Sequence, residues 1–459
     1  MNNNTDSKDF AAENGERIRK VQKKALPRRK MIVQKVGGID RPFLICVILL
    51  LCMGTIMVFS ASYPYAKENF GDSYKFAKSQ ILYALLGVFV MSFVARFIDY
   101  HLIRRFSKTV MLAGIVLLVL VPIIGSGAKG ATRWLQIGPL TLQPSEIMKF
   151  AVVLFFADYA DRFSAKMSLP DRFSGNIKPL LLAVMFLGLG AVVVLTVSNR
   201  IVGFLFLAVF VALAVAMLWK IDMRNELPGI YYGVMPYVVI LVVLGFLLYL
   251  QPHLSGLIII ASIIFSMMFI GGTKLVYLVV GALAAVVAAA VLVLSKGHSS
   301  SRIDVWGDPF AHLLDGGWQP AQSLYAIGSG GLTGVGFGNS RQKHLYLPEP
   351  QNDYILSIWC EEMGFIGALF LICVFIFFIF RGVVIGLRAP DRFSSMLVIG
   401  IIMHVGIQVI FNIAVVTNTI PSTGISLPFF SYGGTSLIIL LAEMGVVMSV
   451  SRMSQIEKT

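Results

Sequence analysis

Three stretches of this 459-residue chain place polar side chains able to do chemistry beside long apolar runs. In the first, 127–149, Arg133 stands next to Trp134, and Glu146 precedes Lys149 by three residues. A guanidinium at membrane-surface height suits a phosphate or diphosphate; its plainer role is an interfacial anchor. Pro144-Ser145-Glu146 reads as a helix start, with Glu146 complementing the amino-terminal dipole. Glu146 and Lys149 then share one helix face. They form either an ion pair at a helix mouth or a cavity-lining pair that positions a charged substrate, because such a pair is costly against lipid.

The second stretch, 296–353, is rich in Gly, Pro and aromatic residues. Glycines at 328, 330, 331, 334, 336 and 338 allow positive φ and close approach of a ligand, but a turn-rich loop uses glycine without any ligand. Arg341 and Lys343 add mobile positive charge. Asp353 opens the next apolar run. With Asn352 it either caps that helix or acts as a general base at the mouth of a wet cleft, where a partly desolvated carboxylate can accept a proton from a sugar hydroxyl. In the third stretch, 423–436, Pro428 and Gly433-Gly434 break a helix among clustered hydroxyls, Ser431 included; this lines a cavity or simply folds a loop.

The elements that must position these groups are membrane spans. Apolar residues make up 57% of the chain, charged residues 14%, and mean hydropathy is +0.80. So few charges cannot cover the surface of a soluble protein of this size. The apolar runs approach the ~20 residues that cross a bilayer and lack period-two alternation, which predicts an all-α polytopic bundle rather than a strand barrel. Twelve spans are predicted, at about 43–62, 79–98, 109–125, 145–160, 179–198, 201–219, 234–250, 254–271, 274–295, 354–380, 396–416 and 432–450. Most of the 38 Lys and Arg fall on the side that holds both termini, which is therefore cytoplasmic. This also accounts for the net charge of +14 without a nucleic-acid partner. The predicted organisation is a basic cytoplasmic tail at 1–41, a transmembrane domain at 42–452, and a cytoplasmic end at 453–459. The tail either floats free or touches anionic headgroups. No cleavable signal peptide is expected. The four cysteines read as small core residues.

The chain resembles the SEDS family (shape, elongation, division and sporulation proteins) over about 41–452. The resemblance rests on ordered motifs: Gly130-Ala-Thr-Arg-Trp134, Gln143-Pro-Ser-Glu146 with Lys149, Gln251-Pro252, Gly328-Ser-Gly-Gly331, Leu347-Pro-Glu349 followed by Asp353, Glu361-Glu-Met-Gly364, and Leu427-Pro-Phe-Phe-Ser-Tyr-Gly-Gly434. Gly338-Asn-Ser-Arg-Gln-Lys343 with Tyr346-Leu-Pro-Glu349 looks more like the FtsW division branch than the RodA elongation branch; the sporulation branch stays open. The resemblance implies a peptidoglycan glycosyltransferase in the bacterial cytoplasmic membrane that polymerises lipid II at its outer face. It implies a class B penicillin-binding protein as transpeptidase partner, with other division-complex membrane proteins. Asp353 takes the place of the family's essential aspartate, and Glu146 with Lys149 that of its cavity pair. Arg133, Trp134, Gly330, Arg341, Lys343, Glu349, Ser431 and Gly433 complete the candidate substrate contacts. Basic residues, Arg133 first, or a divalent cation (Mg2+ or Mn2+) would stabilise the departing diphosphate.

The chain departs from the family pattern twice. His253 follows Gln251-Pro252 where many members carry an acidic residue; a structural turn with a neutral imidazole is expected there. An added apolar hairpin at about 179–219 raises the family's ten spans to twelve, and being even-numbered it keeps the later loops on the same side. A lipid II flippase and a non-catalytic scaffold remain the alternatives. A transporter would need paired charges near the midplane, for which Glu361, Glu362 and Glu443 are the available acids.

Overall fold

The computed structural model describes residues 38–128, 131–137, 140–171, 223–283 and 305–454, with the pairs 185–186, 189–190 and 209–210. Apart from those pairs, the hairpin at 179–219 lies outside the described residues, as do most of the basic tail, the end beyond 454 and the second half of the span at 274–295. The chain divides into two units. One comprises 34–161, 241–267 and 301–459 and holds all the candidate site residues; the other includes 162–240 and 268–300.

In the larger unit, α1 (Arg41–Phe70) starts at Asp40, whose carboxylate accepts from Phe43 N at 2.9 Å, and stops at Gly71 in the left-handed region (φ 72°). It runs past the predicted end at 62 because its polar last turns stay helical after the apolar run ends. Next come α2 (Lys75–Phe97), the short α3 (Tyr100–Arg105) and α4 (Ser107–Ile124). The following segment is a small antiparallel meander: β1 (Ser126–Ala128), β2 (Ala131–Ile137) and β3 (Leu140–Leu142). The sequence reading places only a loop there.

Helix α5 (Pro144–Met167) follows, and its Met148, Ala151, Val152, Val153, Leu154 and Phe156 are all fully buried. A helix covered on all sides can carry charge that a lipid-facing one cannot. Two short helices, α6 (Met223–Glu226) and α7 (Pro228–Gly233), precede α8 (Met235–Leu250) and α9 (Leu254–Gly271). The last elements are α10 (Trp318–Ser329), α11 (Ile355–Leu387), α12 (Arg392–Val416) and α13 (Gly434–Met453). Among the described residues eight helices are long and apolar enough to cross a membrane, α7 and α8 counting as one. The chain is a multi-pass helical membrane protein.

Small residues bring α13 onto α2. A Cβ at Gly445 would lie 2.7 Å from the Met91 carbonyl, so close packing needs glycine there, and one at Gly87 would crowd the end of the Leu441 side chain at 2.4 Å. At the opposite end from the site, Arg104 joins Asp158 (2.9 Å) and Asp161 (2.6 Å), and Tyr100 donates to Asp391 (2.6 Å), the residue that caps α12. In the smaller unit, Asp171 accepts from Gly229 N (2.7 Å) and Lys274 Nζ (2.6 Å).

Helix α11 breaks at Gly364 (φ 66°, ψ −168°). The break frees the carbonyls of Glu361 and Glu362, which accept from Val335 N (3.0 Å) and Gly336 N (3.1 Å). On the other side of the break, Phe365 N and Ile366 N donate to Gly331 and Leu332 carbonyls. Irregular backbone at membrane depth persists when its polar groups are satisfied inside the protein, as here. A Cβ at Gly334 would come 2.2 Å from Glu362 O, so glycine is what lets the outer loop enter the break.

Candidate active site

The β-meander, the first turn of α5, the α8–α9 turn, the start of α11 and the segment before α13 surround a cleft of about 660 Å³. Asp353, Arg133, Trp134, Glu146, Lys149 and Gly433 all line it. Residues more than 200 positions apart in sequence thus share one cleft.

Strand β2 carries Arg133, whose Nη2 donates to the Pro252 carbonyl at 2.6 Å. This contact ties the meander to the α8–α9 turn. On the next strand, the Thr141 carbonyl accepts from Thr435 Oγ1 at 2.9 Å. In α5, Lys149 Nζ lies 2.6 Å from Glu146 Oε2 and 3.2 Å from Gln408 Oε1. The side chains are 3% and 16% exposed, so this is a buried pair with its more accessible end at the carboxylate. A buried pair of this kind is weak evidence of stabilisation; its use is to hold charge at a fixed place.

Asp353 is half-buried just ahead of α11. Asn412 Nδ2 donates both to the Asp353 carbonyl (2.7 Å) and to the Ile425 carbonyl (2.6 Å). Gly424 (φ 67°) lies so near that a Cβ there would be 3.2 Å from Asp353 Oδ2. The following residue, Tyr354, donates its hydroxyl to Ser422 (3.1 Å), and burial pushes its phenol up to about 12, against the Ser422 bond and with the Asp353 charge. The residue is therefore held at its carbonyl by Asn412 and, one position on, by the Tyr354–Ser422 side-chain bond.

His253 sits in the α8–α9 turn. Burial first, then the positive charge of Arg133, pushes its imidazole down to about 4, with Glu146 acting in the opposite direction and Lys149 in the same one. It is neutral at pH 7. Gln251 Nε2 donates to the Leu118 carbonyl at 2.9 Å, a structural tie within the bundle.

The outer loop corrects several sequence expectations. Lys343 is not mobile: it is 2% exposed, and its Nζ donates to Glu362 (2.9 Å), Ser60 Oγ (3.1 Å) and the Gly338 carbonyl (2.7 Å). The reason is that Glu362 faces the bundle interior and requires a countercharge. Arg341 is exposed and its amide N, not its guanidinium, is engaged, donating to Glu361 at 2.8 Å. Gly330 serves packing: a Cβ would meet the Cys360 carbonyl at 2.1 Å. Glu349 accepts from Asn352 Nδ2 at 2.9 Å and so braces the residue before Asp353. Ser431 Oγ accepts from Leu427 N at 2.7 Å and closes the turn. None of these five lines the cleft.

Sequence reasoning missed Gln408, Asn412, Gly424 and Ser426. The first two had a readable signal: His404, Gln408 and Asn412 recur every fourth residue in an apolar helix, one polar stripe. For a metal, no group of three or more His, Cys, Asp or Glu side chains able to hold an ion occurs among the described residues.

The comparisons agree with this architecture. The family model described as cell cycle protein, FtsW/RodA/SpoVE, matches residues 40–223 and 204–456. The chain belongs to that family. It is 36% identical over 418 residues to stage V sporulation protein E of Bacillus subtilis (strain 168), covering 91% of this chain and 98% of that protein. It is 33% identical over 421 residues to a probable peptidoglycan glycosyltransferase FtsW of Geobacter sp. (strain M18), with 91% and 98% covered. Among solved structures, a chain of a peptidoglycan synthase complex described for coordination of polymerization and crosslinking matches with TM-score 0.64 and 23% identity, covering 90% of this chain and 98% of that one. The rod shape determining protein RodA of Thermus thermophilus matches with TM-score 0.55 and 22% identity, covering 90% and 97%. These two likenesses concern the fold.

Proposed function

We propose that this protein is a peptidoglycan glycosyltransferase that polymerises lipid II at the outer face of the bacterial cytoplasmic membrane. Family membership and relatives named as probable peptidoglycan glycosyltransferases support the reaction. The observation that carries the site assignment is Asp353, held by Asn412 in a cleft that also contains Arg133, Glu146 and Lys149.

In this reading Asp353 takes the proton from the acceptor's 4-hydroxyl as that oxygen attacks the donor's anomeric carbon. The bond from that carbon to the undecaprenyl diphosphate breaks, its electrons leave with the diphosphate, and the configuration inverts. Arg133 is the cation for the developing diphosphate charge, with Lys149 holding Glu146 beside it. Water does not replace the acceptor, so a second carboxylate is not required for the chemistry. A divalent cation arriving with the diphosphate remains a proposal, tested by chelation during turnover.

The partner in this proposal is a class B penicillin-binding protein within a division or spore-wall assembly; likeness to a chain from a peptidoglycan synthase complex supports it. Both termini are assigned to the cytoplasm from charge distribution. The basic tail at 1–41, the transmembrane domain at 42–452 and the added hairpin at 179–219 stay as assigned from the sequence. The transport reading loses two of its acids, since Glu361 accepts from Ser340 (2.5 Å) and Glu362 pairs with Lys343. Reconstituted protein given fluorescent lipid II, read both for glycan chains and for movement between leaflets, separates the two. Polymer is expected; movement without polymer, with the transpeptidase and Mg2+ or Mn2+ supplied, would establish transport instead.

A further inference from the structure

The polar stripe of α12 continues beyond the cleft. Gln408 Nε2 donates to both the carbonyl oxygen and Oγ of Ser426, each at 3.1 Å. A carbonyl only accepts, so the amide has one workable orientation. Turned over, it would set Oε1 against the Ser426 carbonyl and Nε2 against the Lys149 ammonium. Gln408 Oε1 therefore faces Lys149 Nζ (3.2 Å) and His404 Nε2 (3.1 Å) and accepts from both. His404 Nε2 must carry a proton.

The other ring nitrogen, Nδ1, lies 3.3 Å from Glu443 Oε2, with side chains 4% and 2% exposed. A neutral ring protonated at Nε2 has only a lone pair on Nδ1, and a carboxylate has only acceptors. Neither Glu443 oxygen nor His404 Nδ1 has a hydrogen-bond partner elsewhere. Two facing lone pairs and an uncompensated carboxylate at this depth would be costly. One proton between them removes both problems. Beside them is a cavity of about 30 Å³, lined also by Glu146, Gln408 and Ser436 and large enough for a single water.

We propose that Glu443 and His404 share one proton between Oε2 and Nδ1, and that this proton, through His404 Nε2 and Gln408 Oε1, fixes where the Lys149 ammonium stands beside Glu146. Imidazolium with carboxylate and neutral ring with carboxylic acid are the same composition, so either satisfies the geometry. Glu443 lies near the midpoint of α13, and neither it nor His404 lines the 660 Å³ cleft. Both are positioning residues. The ionisable groups facing the pair are Glu146, across the small cavity, and Lys149, across Gln408. Removing the proton would favour the opposite ring tautomer, with Nδ1–H on Glu443 and Nε2 bare, and Gln408 Oε1 would lose one of its two donors.

The proposal relies on the glycosyltransferase reading only in its kinetic arm. The direct test is 15N NMR of the full-length protein, histidine-labelled, in lipid, with the His404 signals assigned by their loss in His404→Gln. The expected ring has Nε2 protonated at neutral pH; a ring with Nε2 bare and Nδ1 protonated overturns the proposal. In the kinetic arm, the Glu443→Gln amide can still donate to Nδ1, so kcat stays within about two-fold of wild type, whereas His404→Phe, which removes the Nε2–H donor to Gln408 Oε1, lowers kcat about ten-fold or more with KM unchanged. Glu443→Gln as impaired as His404→Phe, or His404→Phe as active as wild type, overturns it. If the phenylalanine variant fails to fold, the wild-type tautomer still decides. Absence of polymer from wild type would defeat the functional reading and leave the tautomer result standing.

Discussion

Asn412 Nδ2 donates at once to the backbone carbonyl of Asp353 and to that of Ile425, at 2.7 and 2.6 Å. One amide thereby fastens the start of α11 to the segment that leads into α13, and the Asp353 carboxylate is held between them. Replacing Asn412 by Ala strands two carbonyls in a buried place, which costs about 1–3 kcal/mol. The expected result for Asn412→Ala is a fall in polymerisation of about ten-fold or more, with a lower thermal midpoint in detergent. An unchanged rate would show that the clamp does not position Asp353.

Gly424 offers a finer probe. Its φ of 67° and the 3.2 Å approach of a built Cβ to Asp353 Oδ2 disfavour any side chain. Gly424→Ala is expected to strain the backbone by about 1–2 kcal/mol and to displace the carboxylate. Single-turnover rates should drop while the protein remains monodisperse.

The buried pair of Lys343 and Glu362 predicts a stability effect without direct involvement in chemistry. Breaking it with Lys343→Met leaves a carboxylate at 1% exposure without its cation, a loss of about 3–5 kcal/mol. Adding Glu362→Gln should recover much of the lost thermal midpoint, because it removes the uncompensated charge. A double variant no more stable than Lys343→Met would refute the pairing.

His253 gives a pH prediction. Its folded value of about 4 lies below the usual 6.5, so the unfolded chain binds the extra proton between those limits. Stability rises with pH through that window and falls as pH drops from 6.5 towards 4. His253→Asn should flatten this part of the curve, measured by thermal unfolding across pH 4–7. An identical slope in the variant would assign the acid sensitivity to other groups.

Much of the site was readable because it consists of polar residues in an apolar chain. Glu146 with Lys149 and Asp353 stand out against hydrophobic runs, and hydrogen-bonded helices are what a bilayer permits. The loop residues were harder to place. Lys343 and Arg341 are two apart in one basic cluster, yet one is buried by Glu362 and the other faces solvent. That choice is made by α11, where the Glu362 carboxylate takes the Lys343 ammonium while the Glu361 carboxylate takes the Arg341 amide N, and spacing alone does not encode it. The meander at 126–142 escaped because its strands are three to seven residues long and interrupted by Gly and Pro. Gly424 could not be singled out, since its need comes from a carboxylate 71 positions earlier in the chain.

The most direct test is the isosteric change Asp353→Asn in the purified protein, assayed with labelled lipid II and its transpeptidase partner. The side chain keeps its shape and loses its basicity, so the fold and lipid II binding should persist while glycan chains disappear from the gel. Chains formed by Asp353→Asn at the wild-type rate would contradict the assignment of this carboxylate as the base.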